Sequence, residues 1–417
     1  MRPSRPVISR RTALAALGVG ALGVPLGCAD GAGGGSSDGA VSVGRQPFAA
    51  GNSPITAHMK DEKLFEQAAK RLDETVRPDY RDYPSALPQV EAMVGGRLDL
   101  GMWGNTPIVR AIAQGQPLTP LVVGEGHLRF VIATRRGSGI RQLEDLRGKT
   151  VGVLLGGDPH AAFTQMLRWT LGSADPKELD IELVNTPSQA QAARVPRGMD
   201  ATLVGYPSFL KQRAQDDSVV GIANTFGYTE DGYSGPEGEG AGHLLPGVRD
   251  SPFYPDGFYL HRSLWVIRDQ VLQNRPEVAT AFAVALQQAT RELADTDPKE
   301  VSALAKQYWE LSDDDGSKVV ADELLFIRKW SWITEADAWS LQGLSEFMAQ
   351  SGIIDEPLEW QQIVDSIAKG SDAAKAAYEE SGSFPGTKEF TRKTDTDLRG
   401  LPSWRHADWK EPEASTQ

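Results

Sequence analysis

One short pattern, a strand followed by glycine and then by the start of a helix, most strongly limits how this chain can fold. Its fullest copy spans residues 96–117 and has the sequence GRLDLGMWGNTPIVRAIAQGQP. Alternating leucines predict a strand end, Gly104 frees the turn, Thr106 is a candidate N-cap, and Pro107 suits the first helical position. A helix that begins at a strand end presents unpaired N–H groups and the positive end of its dipole, which suit an anion or a polar ligand head.

The same pattern recurs after other apolar segments of the chain. One copy is weak evidence, because helices with proline near their first position are common. Four copies, each after a predicted strand, indicate an α/β protein whose helix N-termini gather at strand ends, where open α/β sheets bind ligands. The three further copies lie at residues 51–54, 157–159 and 205–208.

The rest of the chain also has the patterns of an α/β protein. Short apolar runs and apolar alternation predict strands, and apolar residues three or four positions apart predict helices. A stretch rich in glycine and acids, residues 228–247, predicts a long surface loop. The predicted strands lie near residues 41–43 and at 120–123, 129–133, 150–155, 181–184, 201–204 and 258–267. Besides the helix of the central copy, predicted helices lie at 64–72, 87–94, 163–171, 189–194, 278–293, 326–339 and 344–348.

The length of the chain predicts more than one compact region. With 417 residues, of which 40% are hydrophobic, it is too long for one ordinary domain and apolar enough for a packed core. We expect residues 41–134 and 255–380 to form lobe one, residues 135–254 to form lobe two, and residues 381–417 to be a polar tail. The formal net charge of -13 argues against nucleic acid as a partner.

The N-terminal residues 1–27 have the pattern of an export signal. Arg10 and Arg11 match the twin-arginine pattern, and the apolar run after them is too short for a comfortable transmembrane helix. Cys28, the only cysteine of the chain, follows directly and resembles the lipidated cysteine of a bacterial lipobox. We therefore expect a lipoprotein anchored to the outer face of the cell membrane, with residues 28–40 as a flexible tether. The alternative is an ordinary signal with an incidental cysteine.

Two motifs resemble the substrate-binding proteins of ABC importers, most nearly the group for aliphatic sulfonates, taurine and nitrate. The resemblance extends over roughly residues 41–350, and the combination of motifs is specific although no single motif is. The first motif, Gly-x-x-Asp-x-Gly-x-x-Gly-x-x-Pro, is matched at Gly96, Asp99, Gly101, Gly104 and Pro107. The second motif, Asp-Leu-x-Gly-Lys-x-Val, opens the second lobe in that family and is matched at Asp145, Leu146, Gly148, Lys149 and Val151.

The resemblance implies a periplasmic-binding-protein-like fold of type II, in which two α/β lobes are joined by crossing strands and close on a ligand like a hinge. It implies no catalysis and no cofactor, because such a protein delivers its ligand to a membrane permease and the ATPase of that permease. Aromatic residues flank the predicted turns, so we expect the ligand to be a small organic anion, a sulfonate or a carboxylate. We expect the protein to be a monomer.

An exported enzyme or a ligand sensor on the same fold is the alternative, since fold alone does not determine function. The sequence offers little to an enzyme. The G-x-G-x-x-G match at residues 18–23 lies within the export signal and follows no strand. The histidines are scattered without the spacing of metal ligands. We therefore expect a binding protein without a metal.

The candidate ligand contacts of lobe one stand beside the predicted turns. Asn52, Ser53, Asn105 and Thr106 carry polar side chains at helix starts. Ser53 and Thr106 are equally well explained as N-caps, whereas Asn105 is not, because Thr106 already provides the cap. Trp103 either lines the cleft or packs in the core.

The candidate contacts of lobe two stand beside the corresponding turns. Asp158 and His160 could face a ligand, although each taken alone is more simply a helix cap and a surface histidine. Tyr206 occupies a cap position where its hydroxyl cannot cap well, which favours a role in ligand binding. Tyr83 and Tyr254 are further aromatic candidates.

Overall fold

The computed structural model describes residues 39–46, 53–125, 129–224, 243–244, 262–294, 296–309, 333, 335–381, 397–398 and 401–402. The chain divides into a unit of residues 1–37 and a unit of residues 38–417, and all described residues lie in the second unit. The predictions for the export signal, Cys28, Asn52 and Tyr254, and most of those for the glycine-rich loop and the tail, lie outside the described residues.

Most of the described strands form two mixed sheets. The first comprises β1 (Ala40–Arg45), β2 (Arg77–Asp82), β3 (Leu100–Gly104), β4 (Leu118–Glu125) and β11 (Ser263–Arg268), in the order β2-β1-β3-β11-β4. The second comprises β5 (Phe130–Arg135), β6 (Thr150–Val153), β7 (Glu182–Asn185), β8 (Ala201–Gly205), β9 (Val219–Asn224) and β10 (His243–Leu244), in the order β10-β9-β5-β8-β6-β7. Two short strands, β12 (Asp397–Leu398) and β13 (Leu401–Pro402), pair with each other.

Helices connect these strands and cover the sheets. The helices between strands are α1 (Ser53–Asp61), α2 (Leu64–Arg71), α3 (Ala86–Val94), α4 (Asn105–Ala113), α5 (Asp158–Leu171), α6 (Gln189–Ala193) and α7 (Tyr206–Gln215). Those after β11 are α8 (Asp269–Asn274), α9 (Pro276–Ala294), α10 (Pro298–Trp309), α11 (Glu335–Gln350), α12 (Trp360–Ala368) and α13 (Ser371–Ser381). A 3₁₀ turn spans Leu143–Leu146. Over the described residues, no helix combines the length and the apolar character that a membrane span requires.

Each sheet contains one strand that arrives from the other sheet. β5 follows β4 along the chain but pairs antiparallel with β8 and β9 of the second sheet, and β11 returns to pair antiparallel with β3 and β4. By contrast, β1 pairs parallel with β3, and β6 with β8. The α/β class and the crossing strands that the resemblance implied are therefore confirmed. Lobe one is used below for the first sheet with its helices, and lobe two for the second.

The first crossing falls earlier than the expected lobe boundary at residue 134. β4 ends at Glu125, β5 begins at Phe130, and every residue from Phe130 to Thr134 has a partner in β8. Residues 130–134 therefore belong to lobe two, whereas we expected them in lobe one. Their apolar sequence correctly predicts a strand, but only the backbone pairing assigns that strand to a sheet.

The sequence patterns do not predict β2 or β9. β2 has the polar sequence RPDYRD and lies at the edge of its sheet, where β1 is its partner among the described strands. Edge strands tolerate charged residues and proline, so β2 does not need the apolar pattern of a buried strand. β9 is buried at every position. The predicted strand at 150–155 is confirmed as β6, but it ends at Val153 because the chain then turns, with the Gly157 N–H bonded to the Leu154 carbonyl.

An aromatic cluster ties the returning strand to the helices of lobe one. The ring of Phe282 in α9 meets Trp265 of β11 edge-on at 4.7 Å between centroids and Phe65 of α2 at 5.3 Å. All three side chains are fully buried. Because Trp265 lies on the strand between β3 and β4, the cluster packs the centre of the sheet against α2 and α9.

We expect Phe282→Ala to lower the free energy of unfolding by about 3–5 kcal/mol, because it leaves a cavity among fully buried aromatic rings. Urea denaturation followed by circular dichroism measures the change. Val94→Ala is the control: its side chain is 52% exposed, and the expected change is within about 0.5 kcal/mol. A Phe282→Ala protein as stable as the control would contradict this account of the core.

Candidate functional site

Glycines, rather than polar side chains, form the N-caps of three helices that follow strands. Gly104, Gly157 and Gly205 precede α4, α5 and α7, each with extended backbone and without a side-chain cap. Such a helix leaves its first N–H groups to another partner. The prediction that Thr106 caps α4 is wrong: Thr106 is the second residue of the helix and Pro107 the third.

These helix starts surround a cavity of about 80 Å³ between the two lobes, here called the interlobe cavity. Lobe one contributes the start of α3, the end of β3 and Pro107 of α4. Lobe two contributes the starts of α5, α6 and α7, together with Arg129 and Phe130 where β5 begins. Arg129 and Asp158 are the charged residues of this lining, and its other members are apolar or neutral polar.

The carboxylate of Asp158 crosses from lobe two to the start of α4 in lobe one. The backbone N–H of Thr106 donates to Asp158 Oδ1 at 2.7 Å, so the carboxylate satisfies one of the N–H groups that the glycine cap leaves unpaired. A Cβ atom at residue 104 would collide with this carboxylate, which explains the glycine there. Asp158 was expected either to face a ligand or to cap its own helix, but it is the first residue of α5 and caps a helix of the other lobe.

Burial raises the pKa of the Asp158 carboxyl to about 6, against the opposing effect of its hydrogen bonds with Thr106. Only 9% of the residue's surface is exposed. At neutral pH the group is therefore mostly ionised, and in mildly acidic solution it takes up a proton.

A second contact joins the same two segments. Arg110 of α4 donates from Nη1 to the Gly156 carbonyl at 3.4 Å. Gly156 has a φ of 75°, a backbone conformation that favours glycine, and the following residues carry the chain into α5. The segment 154–158 of lobe two is thus held against α4 at both Gly156 and Asp158.

Arg129 supplies a buried positive charge to the interlobe cavity. It is 4% exposed, and its guanidinium carbon lies 4.9 Å from the ring centroid of Tyr206. The Tyr206 N–H donates to the Arg129 carbonyl at 2.9 Å, so backbone and side chain both hold the pair together. Tyr206 itself is buried at the first position of α7, beneath the guanidinium, while Pro207 lines the cavity.

Trp103, Asn105 and Thr106 are buried and do not line the interlobe cavity. Trp103 is fully buried in the core of lobe one, which agrees with the second of its two interpretations. Asn105 and Thr106 form the first turn of α4, so the backbone of Thr106, rather than its side chain, reaches the cavity region through Asp158.

His160 and Tyr83 also lie away from the interlobe cavity. His160 lines a separate groove near β7, accepts a hydrogen bond at Nδ1 from the Gly156 N–H at 3.3 Å, and has a pKa lowered by burial. Tyr83 is half-buried and packs against the core of lobe one, although the next two residues line the cavity. Ser53 is the first residue of α1, and its side chain lies outside the described part.

The sequence reasoning missed Arg129, Gln46 and Gln189 as cavity residues. Gln189 Oε1 accepts from the Gly205 N–H at 2.6 Å, and Gln46 Nε2 donates to the Met102 carbonyl, so both amides brace strand ends at the cavity. Gln189 follows Ser188, which caps α6 directly after β7. A polar residue such as Ser188 after a predicted strand could have indicated a helix start at the cavity. Arg129 has no such sequence pattern beside it, except that it lies where the chain crosses between the sheets.

Residues 52–189 match a family model described as the phosphonate periplasmic substrate-binding protein of an ABC transporter. Comparison with curated proteins gave no match.

Solved structures share the fold at low sequence identity. The periplasmic aliphatic sulphonate binding protein of Escherichia coli superposes with a TM-score of 0.53 and 18% identity, over 78% of this chain and 92% of that one. The alkanesulfonate-binding protein of Xanthomonas axonopodis, bound to MOPS, gives 0.55 and 17%, over 79% and 98%. The periplasmic nitrate-binding protein of Synechocystis gives 0.57 and 12%, over 88% and 95%. The fold is that of periplasmic binding proteins, and these sulfonate- and nitrate-binding proteins share it.

We expect the free energy of unfolding of the wild type, minus that of Asp158→Asn, to fall as the pH rises from about 4 to about 7. The unfolded carboxyl, with an ordinary pKa of 3.8, loses its proton first, while the folded protein retains it up to about 6. The folded state therefore binds more protons in this window, and the relative free energy of unfolding should drop by on the order of 3 kcal/mol.

Urea denaturation of both proteins across this pH range tests the expectation. Asparagine keeps an oxygen that can accept from Thr106 but does not titrate. Asp217→Asn, the same change at an exposed position, controls for the loss of one charge. Parallel stability curves for the wild type and Asp158→Asn would show that the carboxyl is not held in the buried environment described.

Proposed function

We propose that this protein is an extracytoplasmic solute-binding protein of an ABC importer, which captures a small organic anion and delivers it to a membrane permease and its ATPase. The observation that carries the proposal is the buried guanidinium of Arg129 in a cavity between two lobes, beside helix starts capped only by glycine. The described matches support it, because the proteins named in them bind sulfonates, nitrate or phosphonate.

Electrostatics of the interlobe cavity favour an anionic head group. A helix N-terminus carries a partial positive charge of about half an elementary charge, and α7 and α5 both begin at the cavity wall. The charge of Arg129 acts in surroundings of low dielectric constant, where it is stronger than at a surface. The overall charge of -13 does not oppose this, since it includes exposed side chains that solvent and salt screen.

The walls of the interlobe cavity favour an organic body attached to that head group. Leu87 and Met102 from lobe one and Phe130 and Leu154 from lobe two present apolar surface to the cavity. A bare inorganic ion would leave these surfaces without a partner, whereas an alkyl or aryl group would bury against them. A sulfonate or a carboxylate with such a group is the ligand class that we propose.

The lining favours binding over catalysis. Among the described lining residues, the titratable groups are Arg129 and Asp158, and His160 faces a different groove. A nucleophile held by a neighbouring base is the usual sign of covalent hydrolytic chemistry, and the described lining does not present that pair. An exported enzyme or a ligand sensor on this fold is therefore the less favoured alternative.

We expect the wild type to bind at least one member of a panel of alkyl and aryl sulfonates and carboxylates by isothermal titration calorimetry, more tightly than nitrate or amines. Arg129→Gln should weaken that binding by about 1.5–3 kcal/mol, or roughly 10–150-fold in Kd, because it removes a charged hydrogen-bond donor. Tyr206→Ala should weaken it by about 1–2 kcal/mol, because it removes the ring that holds the guanidinium in place.

Asp217→Asn, at an exposed position outside the cavity lining, is the control for both variants. It should leave the Kd within about twofold, because a surface substitution away from the site usually changes free energies by a few tenths of a kcal/mol. Tight binding of nitrate with no binding of any organic anion would contradict the proposal. An Arg129→Gln protein that binds the organic anion with unchanged affinity would also contradict it.

We also propose that the protein is held at the outer face of the cell membrane by a lipid on Cys28 and acts there as a monomer. The support is the position of the sole cysteine, directly after an apolar export signal. Cys28→Ala should move the protein from the membrane fraction to the soluble fraction after cell fractionation. Cys28→Ser provides a second form of the same test, and a variant that stays with the membrane would contradict lipid anchoring.

A further inference from the structure

We propose that the carboxylate of Asp158 is a built-in occupant of the anion position at the start of α4, and that an anionic ligand binds in competition with it. Asp158 would then be a specificity-determining residue that sets both the affinity for anions and its dependence on pH. The inference rests on the proposed function, because it concerns what the same cavity does with an anionic ligand.

The geometry shows an anion seated at the helix start. Oδ1 of Asp158 accepts from the Thr106 N–H at 2.7 Å, and the rest of the carboxylate packs against the Cα side of Gly104. With glycine as the cap, α4 has no side chain of its own in this position. In the fullest copy of the strand–glycine–helix pattern, residues 96–117, the carboxylate of Asp158 from the opposite lobe thus occupies the helix start.

The start of α7 is arranged differently. The Gly205 N–H is bonded to the neutral amide of Gln189, and Arg129 lies over the neighbouring ring of Tyr206. A ligand anion at α7 meets a positive charge and neutral dipoles. A ligand anion at α4 meets the carboxylate of Asp158, and two like charges in a closed cavity repel strongly.

The charged and titratable groups around Asp158 come from three segments. Arg129 lines the cavity from the start of β5, Arg110 of α4 holds the Gly156 carbonyl, and His160 lies two residues further along α5. Burial outweighs the hydrogen bonds that the carboxylate accepts and raises the pKa of Asp158 to about 6.

The competition has a definite direction with pH. A protonated Asp158 carries no charge, so it does not repel an anion. It is also no longer stabilised as an anion by the N-terminus of α4. If only this neutral form admits the ligand, the apparent Kd equals the intrinsic Kd divided by the protonated fraction, which is about 1% two pH units above the pKa. Anion affinity should therefore rise as the pH falls.

Calorimetry with butanesulfonate and benzenesulfonate provides the test, since neither probe changes its charge between about pH 5.5 and pH 8. We expect the wild type to bind at least about tenfold more tightly at the lower pH. Asp158→Asn should bind at least about tenfold more tightly than the wild type at pH 8, with nearly the same Kd at both pH values. Asp217→Asn, which removes one exposed charge, should behave as the wild type.

The outcomes separate this inference from the proposed function. If Asp158→Asn binds equally or more weakly at pH 8 while the wild type binds a sulfonate, the inference is overturned and the proposed function stands. If no variant binds an organic anion at either pH, both are overturned. Asp158→Ser, whose hydroxyl can also accept from Thr106, gives the same test if the asparagine variant does not fold, as judged by its melting transition.

Discussion

The hydrogen bond between the Thr106 N–H and the Asp158 carboxylate is the contact on which the arrangement of the cavity depends. It requires a helix whose cap offers no side chain, a glycine at residue 104 that lets the carboxylate approach, and a turn of lobe two that reaches across. Because the contact spans both lobes, it links the charge of one carboxyl group to the packing between them. The second bond, from Arg110 to Gly156, supports the same turn from the same helix.

Other segments also connect the two lobes. β5 and β11 each lie inside the sheet of the lobe that the chain is entering, with neighbours on both sides. Helix α11 packs against α4 of lobe one and against α5 of lobe two. Arg262, just before β11, is paired with Asp337 of the same helix at 3.5 Å. Among the described residues, packed strands and a shared helix therefore join the two lobes.

Local pattern predicted most of the strands and helices, because apolar spacing and glycine turns act within a few residues. It could not assign β5 to a sheet, and it missed β2, since backbone pairing supplies what a polar edge strand lacks in its sequence. The same limit applies to the site. The glycine turns correctly indicated where helix starts would gather, but the partner of Thr106 is a residue far along the chain, and Arg129 has no local signature. Trp103 and His160 are adjacent in sequence to turns at the cavity, but their side chains lie away from it. Successive side chains of a strand lie on opposite faces, and those of a helix are rotated around its axis, so a neighbour in sequence need not face the same cavity.

The position of β11 also has a consequence for how the chain acquires its structure. Lobe two is built largely from one continuous stretch, residues 130–224, so its sheet can be nearly complete while the ribosome is still adding the rest. Lobe one cannot be complete at that stage, because the place between β3 and β4 stays vacant until residues 263–268 emerge. Closing so long a loop carries an entropic penalty before any contact repays it. The lobe that comes first in the sequence is thus expected to finish folding last.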